Sequence, residues 1–464
     1  MKSVRFHSRV LRWLAFAGLC TSVAAAPAPE REKAQPSAHE RALGQPAWVR
    51  TGTIYEINVR QYSASGQFDA VTADLPRLKA LGVNILWLMP IHPIGELHRK
   101  GTLGSYYAIK DYFAVNPEFG TEEDFREFVT AAHAHGMKVI LDWVGNHVSP
   151  DNPLTRTNPG FFWRDDKGSL SPPHGTDWTD VVQFDFNAPG LLDYQASALL
   201  HWIRKFNIDG YRCDVAWGLP TPFWDELVKR VLAVKPDTYF LAEAELPQQQ
   251  VRAFHTSYGF DLHHVMNSVA QGKKGVSAID DALAKFRAHF PRGGSLMIFT
   301  SSHDENTWAG TEFERLGAGW APFAVLTFLL DGVPMIYNGQ EAGLDRRLEF
   351  FERDPIVWPK EAHPAAKLYQ TLTALRRTHP ALHTGAALRR LDTTENGSIY
   401  AVLREAGGKQ VVGFLNLTAK DVKADAFDPA LAGQWRDAFT GETVTLNALV
   451  PLDLKAWRYR VFVQ

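Results

Sequence analysis

Residues 71–88 read VTADLPRLKALGVNILWL, and this stretch decides the fold class. Three leucines recur at helical spacing over residues 71–81, and Gly82 then ends the pattern. The apolar run that follows, residues 83–88, is typical of a strand buried on both faces of a parallel sheet. Because another strand is expected at residues 54–59, the stretch completes a strand–helix–strand unit.

The same alternation continues along the chain and predicts a barrel. Further helices are expected at residues 121–135, where Thr121 and Asp124 form a capping-box pattern, and at residues 191–206. Eight strands are predicted, at residues 54–59, 83–88, 137–141, 208–213, 239–243, 259–265, 296–300 and 333–337. We therefore expect an α/β fold, a (β/α)8 TIM barrel, over residues 48–385.

Two segments depart from this alternation. Residues 148–185 follow the third strand, are rich in Pro, Asn, Gly and Trp, and are expected to form an insertion subdomain. After the barrel the pattern changes to short β-rich runs, two of which meet at Gly407 and Gly408 in a hairpin pattern. Residues 386–464 are therefore expected to form a C-terminal antiparallel β-sandwich.

The N-terminus has the pattern of a targeting segment. Residues 1–26 combine a basic start, an apolar centre and small residues, which predicts a secretory signal peptide, and residues 27–47 are expected to be a flexible leader. Cys20 follows Leu19, a poor context for lipid attachment, so no lipid anchor is expected. We expect export to the periplasm or beyond, with Cys213 as the single remaining cysteine and therefore no disulfide.

The composition argues against several classes of partner. The 464 residues carry 49 Lys and Arg against 51 Asp and Glu, a formal net charge of −2. Such a chain has no sustained basic field for nucleic acid or an anionic membrane, so a neutral or weakly charged substrate is favoured. Aromatic residues make up 12% of the chain, and their faces suit sugar rings as well as a core. We expect a monomer whose mature form has no membrane span.

Four acidic residues, Asp142, Asp214, Glu243 and Asp304, lie at or just beyond the ends of predicted strands. In a (β/α)8 barrel these strand ends converge on one cavity, which is where reactive side chains lie. Each carboxylate alone is more simply explained as a helix cap or a solvated loop residue, but four in this order are not. The sequence therefore predicts a catalytic cavity lined by carboxylates.

Side-chain parity suggests roles for these groups. Arg212 and Asp214 are two apart on a strand, so both side chains leave the same face, and the guanidinium favours an ionised Asp214 as a candidate nucleophile. Glu243 ends the next strand among other carboxylates and is expected to keep its proton near neutral pH, which suits a general acid. Glu245 has the same parity, so strand period alone does not choose between it and Glu243.

These positions resemble the four short sequence regions of the alpha-amylase superfamily of glycoside hydrolases. The matching segments read DWVGNHV at residues 142–148, GYRCDV at 210–215, LAEAE at 241–245 and FTSSHDEN at 299–306. Further similarity, at residues 104–112 and 332–343, extends the resemblance over nearly all of the predicted barrel.

The resemblance implies that Asp214 is the nucleophile, Glu243 the acid/base and Asp304 a third carboxylate that orients the sugar. It also implies that four residues contact the same sugar: Tyr107, His147, Arg212 and His303. Asp142 is expected to support Arg212. The implied reaction is a retaining double displacement at α-glucosidic bonds of α-glucans or malto-oligosaccharides, with the two reacting carboxyl groups about 5 to 5.5 Å apart.

Two other functions remain open. An α-glucosyl transferase (transglycosylase) on the same fold would pass the covalent glucosyl unit to another sugar. A non-catalytic carbohydrate-binding relative is disfavoured because the three carboxylates are present.

The resemblance requires no cofactor but raises the question of calcium. The residues after Asp214 read VAWG and lack the Lys-His pair of many relatives, in which a His carbonyl commonly completes a calcium site. Asn146 remains the candidate ligand, since calcium is a hard cation that prefers oxygen.

Overall fold

The computed structural model describes residues 40–464 of the chain. The predicted signal peptide and most of the predicted leader lie outside the described residues. None of the helices within residues 40–464 is long and apolar enough to cross a membrane. Ten strands lie in the first part of this range: β1 (Ile54–Ile57), β2 (Ile85–Leu88), β3 (Lys138–Val144), β4 (His147–Val148), β5 (Val182–Gln183), β6 (Gly210–Asp214), β7 (Tyr239–Ala242), β8 (Thr256–Tyr258), β9 (Leu296–Ile298) and β10 (Val333–Tyr337).

Eight of these strands close into a barrel in the order β1-β10-β9-β8-β7-β6-β3-β2, and all neighbouring pairs are parallel. This confirms the predicted (β/α)8 fold. The helices of the described residues are α1 (Ala47–Arg50), α2 (Val59–Tyr62), α3 (Phe68–Leu81), α4 (Glu122–Ala134), α5 (Leu154–Thr157), α6 (Leu191–Phe206), α7 (Thr221–Leu232), α8 (Phe260–Ala270), α9 (Ala278–His289), α10 (Glu312–Leu316), α11 (Trp320–Leu329) and α12 (Pro364–Thr378).

Helix α4 begins where the sequence pattern predicts. The Asp124 backbone N–H donates to Thr121 Oγ1 at 3.2 Å, and the Thr121 backbone N–H donates to Asp124 Oδ2 at 2.7 Å. This reciprocal pair is the expected capping box, and it satisfies N–H groups that a helix start leaves without partners.

One predicted strand is wrong. Residues 259–265 do not form a strand, because Phe260–Ala270 is helix α8 and the barrel strand at this place is the three-residue β8. Buried apolar residues recur in the helix at spacings of three and four: Leu262, Val265, Met266 and Val269. This helical period outweighs the β-forming tendency of the individual residues, and a three-residue strand is too short to show a pattern of its own.

Strand β6 shows how the barrel separates its two faces. Cys213 belongs to the apolar cluster between barrel and helices, whereas Arg212 and Asp214 point into the barrel mouth. A Cβ atom at Gly210 would lie 2.3 Å from the Tyr239 carbonyl oxygen. Only glycine therefore allows β6 to approach β7 this closely, and this approach brings the ends of the two strands together.

The insertion after β3 is a small subdomain with a two-stranded sheet. β4 pairs with β5 in antiparallel fashion, with His147 opposite Gln183. The Phe162 and Phe184 rings stack with their centroids 5.0 Å apart. This pairing fixes the chain immediately after β3, where His147 lies at the edge of the barrel mouth.

Antiparallel sheets follow the barrel, as predicted for the C-terminal region. The strands are β11 (Ala387–Leu391), β12 (Ile399–Ala406), β13 (Lys409–Asn416), β14 (Val422–Phe427), β15 (Gly433–Asp437), β16 (Thr443–Leu446), β17 (Leu449–Leu454) and β18 (Tyr459–Val463). Six of them form a sheet in the order β11-β12-β13-β18-β15-β16, and β14 pairs with β17 to cover an apolar core between the two sheets. Gly407 and Gly408, with φ of 57° and 72°, form the predicted β12–β13 turn.

Candidate active site

The barrel places Asp214 and Glu243 on adjacent strands. Asp214 is the last residue of β6, and Glu243 directly follows β7, whose residue Ala242 pairs with Cys213. The Glu243 backbone N–H donates to the Cys213 carbonyl at 3.0 Å, which continues the ladder by one residue. The two carboxylates are therefore neighbours at the carboxyl end of the barrel, where the fold concentrates its functional groups.

The Arg212 guanidinium joins three carboxylates. Its NH1 lies 2.8 Å from Asp142 Oδ1 and 3.1 Å from Asp214 Oδ1, and its NH2 lies 2.8 Å from Glu243 Oε1. Its Nε donates to the Tyr258 hydroxyl at 3.1 Å. Because Arg212 is fully buried, these interactions are little weakened by solvent, and Asp214 and Glu243 are held next to each other by one group.

Asp142 supports Arg212, as the sequence predicts, but from inside a strand rather than beyond its end. It is the fifth residue of the seven-residue β3, and its carboxylate also accepts hydrogen bonds from the Tyr107 hydroxyl at 3.2 Å and Trp87 Nε1 at 3.3 Å. Burial raises the pKa of Asp142 to about 6, and Arg212 opposes this rise. Asp142 thus orients the guanidinium.

The Asp214 carboxylate is short of hydrogen-bond donors. Burial raises the pKa of Asp214 well above its usual value, the charge of Glu243 raises it further, and Arg212 lowers it. No described residue donates a hydrogen bond to Asp214 Oδ2. Burial therefore disfavours the ionised form expected for Asp214. That form depends on the contact with Arg212.

Glu243 has the better set of donors in this structure. Besides Arg212, the Val215 backbone N–H donates to Glu243 Oε2 at 2.7 Å. Val215 has φ of 45°, a left-handed conformation that is uncommon and strained for a β-branched residue. The chain therefore bends sharply after Asp214 and points an amide at Glu243. Both contacts stabilise negative charge on Glu243, so its expected protonated state stays a prediction.

The structure distinguishes the surroundings of Glu243 from those of Glu245, which side-chain parity on the strand could not do. Glu245 accepts the Asp261 backbone N–H at 3.2 Å with both carboxylate oxygens, at the start of α8. Burial raises the pKa of Glu245 to about 7, and the Asp261 N–H lowers it. Glu245 thus caps a helix, whereas Glu243 shares Arg212 with Asp214.

His303 is joined to Asp142 through the Tyr107 hydroxyl, and Asp304 directly follows it in the sequence. His303 Nδ1 lies 2.5 Å from Glu56 Oε1, and its Nε2 lies 2.8 Å from the Tyr107 hydroxyl and 3.4 Å from Asp304 Oδ2. Burial alone would lower the pKa of His303, but the charges of Asp304 and Glu56 outweigh it and raise the pKa to about 9. A charged His303 donates from both ring nitrogens. The Asp304 side chain is 48% exposed, so its carboxylate is accessible from solvent.

Tyr107 provides an aromatic wall beside these charges. Its ring stacks on His303 at 5.6 Å between centroids with an angle of 21°. It also lies nearly parallel to Phe350, at 6.3 Å and 10°. Aromatic faces suit the apolar face of a sugar ring, and the stacking role expected for Tyr107 stays a prediction.

His147 and Asn146 lie at the edge of the site. Burial lowers the pKa of His147 to about 3, so this ring is neutral, and it packs edge-on against Trp178 at 5.5 Å. No hydrogen bond or ion pair within residues 40–464 joins His147 to the carboxylates. Its predicted contact with the sugar therefore remains a prediction.

Asn146 is the calcium ligand expected from the sequence, and its amide oxygen is buried. Asn146 Oδ1 is buried and accepts no hydrogen bond from a described residue, and Asn146 Nδ2 lies 3.2 Å from His147 Nδ1. The described part of the chain has no group of three or more His, Cys, Asp or Glu side chains arranged for a metal. Calcium takes six to eight oxygen ligands, of which Asn146 Oδ1 would supply one. The role of Asn146 as a calcium ligand stays a prediction.

Sequence reasoning missed three side chains of the site: Glu56, Tyr258 and Phe350. Glu56 is fully buried within β1, and the available signal was an acidic residue inside the apolar run at residues 54–59. Tyr258 ends β8, the strand that was wrongly placed. Phe350 lies outside the regular elements, and no pattern marked it.

Comparisons with known proteins agree with this geometry. Residues 38–168 match the family model "Alpha amylase, catalytic domain". The chain is 33% identical to a crystallised alpha-amylase from Lactobacillus plantarum. The alignment covers 90% of this chain and 99% of that one, and the two structures superpose with a TM-score of 0.80. It is 28% identical over 400 residues to alpha-amylase MalA from Haloarcula japonica, covering 83% of this chain and 56% of that protein.

The chain is also similar to a transferase. It is 29% identical to an alpha-1,4-glucan:maltose-1-phosphate maltosyltransferase from Pseudomonas aeruginosa, covering 77% of this chain and 58% of that protein. The chain thus spans little more than half the length of these two curated relatives, but almost the whole of the crystallised amylase. On the family model, the closed barrel and this full-length similarity, the chain belongs to the alpha-amylase family of glycoside hydrolases.

Proposed function

We propose that the chain hydrolyses α-glucosidic bonds of α-glucans or malto-oligosaccharides by a retaining double displacement. The observation that supports it most directly is the pair Asp214 and Glu243, which end adjacent strands and contact one guanidinium at 3.1 and 2.8 Å. Two carboxylates held side by side at the mouth of a barrel are what the two steps of this reaction need.

In the first step, an Asp214 oxygen attacks the anomeric carbon while the bond to the leaving oxygen breaks. Glu243 gives its proton to that oxygen, so a shortened glucan leaves and a glucosyl ester of Asp214 remains. The transition state carries positive charge on the sugar ring. Buried carboxylates with few donors, Asp214 above all, are suited to stabilise it, because no water screens them.

In the second step, water attacks the anomeric carbon and breaks the ester with Asp214. Glu243 accepts the proton of that water, and its ionised form is the one that Arg212 at 2.8 Å and the Val215 N–H at 2.7 Å stabilise. Asp304, which lies 3.4 Å from His303 Nε2, would accept hydrogen bonds from sugar hydroxyls. The product keeps the anomeric configuration of the substrate.

An α-glucosyl transferase is the second candidate. The similarity to maltosyltransferases favours it, because the same ester can be intercepted by a sugar hydroxyl instead of water. The two functions share every step up to the ester. Only the identity of the acceptor separates them.

The test is to incubate the purified chain with maltoheptaose, maltose, isomaltose and sucrose and to resolve the products by chromatography. Proton NMR in the first minutes reads the product anomer. We expect shorter α-configured products; products longer than the substrate would indicate transfer, and an initial β-anomer would contradict retention. Binding of a glucan without any turnover would favour the non-catalytic relative.

The carboxylate roles are tested by Asp214→Asn and Glu243→Gln, with Glu245→Gln as the matched control. Glu245 has the same side chain two residues along the chain but caps α8. The first two changes should abolish turnover and the third should leave it within severalfold of the unmodified chain. Turnover close to normal in either of the first two would overturn the assignment.

Two further points are proposals that rest on sequence alone. Export depends on the signal-peptide pattern of residues 1–26 and is tested by cell fractionation. A calcium ligand role for Asn146 is tested by dialysis against EGTA, which should lower thermal stability if calcium binds.

A further inference from the structure

Residues 299–311 form a loop that connects β9 to α10 and carries both His303 and Asp304. Within this loop, Glu305–Ala309 form a π-helix, in which the Gly310 backbone N–H donates to the Glu305 carbonyl at 2.9 Å. Asp304 immediately precedes this helix. Turns of π-helix are rare and occur mostly at functional sites. The position of the Asp304 carboxylate therefore depends on the contacts that hold this loop in place.

Arg315 of α10 holds both ends of the loop with one guanidinium. Its NH2 donates to the Thr300 carbonyl at 2.7 Å, and its Nε donates to the Gly310 carbonyl at 2.9 Å. Arg315 is only 6% exposed, so water competes little for these charge-assisted hydrogen bonds. The two contacts fix the separation of Thr300 and Gly310, and His303 and Asp304 lie between these residues.

Glu305 anchors the middle of the same loop. Its Oε2 lies 3.1 Å from His263 Nε2 on α8 and 3.8 Å from Arg315 Nε. Burial alone would raise the pKa of Glu305, but His263 and Arg315 lower it, so the carboxylate is ionised. His263 is itself fixed, because its Nδ1 donates to the Phe299 carbonyl at 3.1 Å and its ring stacks on the Phe299 ring at 4.6 Å. The residue next to Asp304 is thus tied to two neighbouring helices.

A buried arginine that binds carbonyls can also be purely structural, and Arg376 of α12 is the comparison. It is fully buried and donates to the Arg50 carbonyl at 2.9 Å and the Gly52 carbonyl at 3.3 Å, both of which precede β1 at the amino end of the barrel. Arg315 has the same chemistry, but its two carbonyls flank the loop that carries functional groups.

We propose that Arg315 and Glu305 are positioning residues for the reaction, which set where Asp304 and His303 stand relative to the bound sugar. The proposal rests on the proposed function and adds residues that act on it through the loop, without touching the substrate. Orientation of the sugar at the reacting centre counts most in the transition state, and a displacement of about 1 Å there can cost about 100-fold in rate. The loss is therefore expected in kcat rather than in KM.

The pH profile offers a readout that a purely structural role would not move. The charged or titratable groups that face His303 are Glu56, Tyr107, Asp142, Arg212 and Asp304. Burial lowers the pKa of His303, and the charge of Asp304 is the largest of the effects that raise it. Only Asp304 among these groups lies on the loop held by Arg315. A displaced loop should therefore move the alkaline limb of the kcat/KM profile to lower pH.

The experiment compares Arg315→Met, Arg315→Lys and Glu305→Gln, with Arg376→Met as the matched control. Methionine keeps an apolar stem without donors, and lysine keeps the charge but lacks the planar fork that reaches two carbonyls at once. Kinetic constants for maltoheptaose and the pH profile of kcat/KM are measured at a temperature at which circular dichroism shows each variant to be folded. The pH profile is recorded for Arg315→Met and Glu305→Gln, whose new side chains do not titrate.

Arg315→Met should lower kcat about 100-fold with KM within about threefold, and should move the alkaline limb to lower pH by about half a unit. Arg315→Lys and Glu305→Gln should each lower kcat less, by about fivefold to tenfold, because each keeps part of the contacts. Arg376→Met should lower the melting temperature and change neither kcat nor the pH profile.

A normal kcat in both Arg315→Met and Glu305→Gln would overturn the positioning role, and so would a loss of kcat with an unshifted alkaline limb. Should Arg315→Met fail to fold, the same criteria apply to Glu305→Gln alone. Each of these outcomes leaves the proposed function standing, because the unmodified chain still turns over maltoheptaose. An unmodified chain without activity on any α-glucan would overturn both.

Discussion

The two ends of strand β6 carry aspartates in opposite electrostatic surroundings. Asp209 precedes the strand and contacts His133 at 2.7 Å, Lys138 at 2.9 Å and Lys235 at 3.4 Å. Burial alone would raise its pKa, but these groups and the Val139 backbone N–H lower it to about 2. Asp214, at the other end, shares a single guanidinium, and burial raises its pKa well above the usual value.

The difference indicates that the aspartate at one end of the strand stabilises the fold and the aspartate at the other end serves the reaction. At the amino end of the barrel a carboxylate is saturated with donors, so its charge stabilises the fold. At the carboxyl end a carboxylate is left with few donors, so its charge is available to a substrate. This is the division expected of a (β/α)8 barrel, in which the carboxyl-end loops carry function.

The largest expected effect is at the reactive end. Asp214→Asn should lower kcat about 10⁴-fold or more, because the neutral amide cannot form the glucosyl ester. The measurement is steady-state turnover of maltoheptaose by purified protein. Asp209→Asn is the matched change at the other end and should keep turnover within about twofold. Comparable losses in both variants would contradict the division between the two ends.

The second effect is a loss of stability, and it is expected from a change at Asp209 rather than at Asp214. Asp209→Asn should lower the free energy of unfolding at pH 7 by about 2 kcal/mol, the value that corresponds to a pKa reduced from its ordinary value to about 2. Because the folded pKa is depressed, this stabilisation is present above about pH 4 and is lost as the pH falls toward about 2. Urea unfolding from pH 7 to pH 2 should therefore show the two chains converging in acid. Asp425→Asn, on an exposed position of β14, should not change stability.

A third, smaller effect concerns the charge of His303. Glu56→Gln removes one of the two carboxylates that raise its pKa to about 9, while Asp304 continues to raise it and Arg212 and burial lower it. The alkaline limb of the kcat/KM profile should move to lower pH by about one unit, because His303 then loses its proton earlier. The profile should keep its acid limb. An unshifted alkaline limb would show that the Glu56 contact has no bearing on the reaction.

The smallest effect is a gain in stability at the reactive end. A carboxylate whose pKa is raised on folding destabilises the folded state at neutral pH, so the neutral side chain of Asp214→Asn should slightly increase the free energy of unfolding. Thermal unfolding at pH 7 measures it. A lower melting temperature than that of the unmodified chain would mean that the Arg212 contact outweighs burial at this position.

Much of this organisation could be predicted from the sequence. The barrel was predictable because most of its strands alternate with amphipathic helices, and the local signals for α4 and the β12–β13 turn are strong. The positions of Asp214 and Glu243 followed from their places after apolar runs. Strand β8 could not be predicted, because three residues show no period and the following helix contributes the stronger pattern.

Glu56 and Phe350 could not be predicted for a different reason. Glu56 contacts His303 across 247 residues of sequence, so no local pattern links them. Phe350 enters the site from a loop whose position is fixed by Asn306 and Thr307. The electrostatic balance also depends on the Val215 backbone, whose left-handed conformation aims an N–H at Glu243 and which residue type alone does not reveal.

Cys213 gives the molecule an internal reporter of barrel integrity. It is the only cysteine beyond the N-terminal apolar segment, lies next to Asp214 and is fully buried on the helix-facing side of β6. Burial raises the pKa of its thiol well above the ordinary value, so a thiol-specific reagent such as maleimide has almost no thiolate to modify in the closed barrel. The rate at which Cys213 is alkylated therefore measures how often strand β6 becomes exposed to solvent. The measurement needs no engineered label and can be made with or without added sugar.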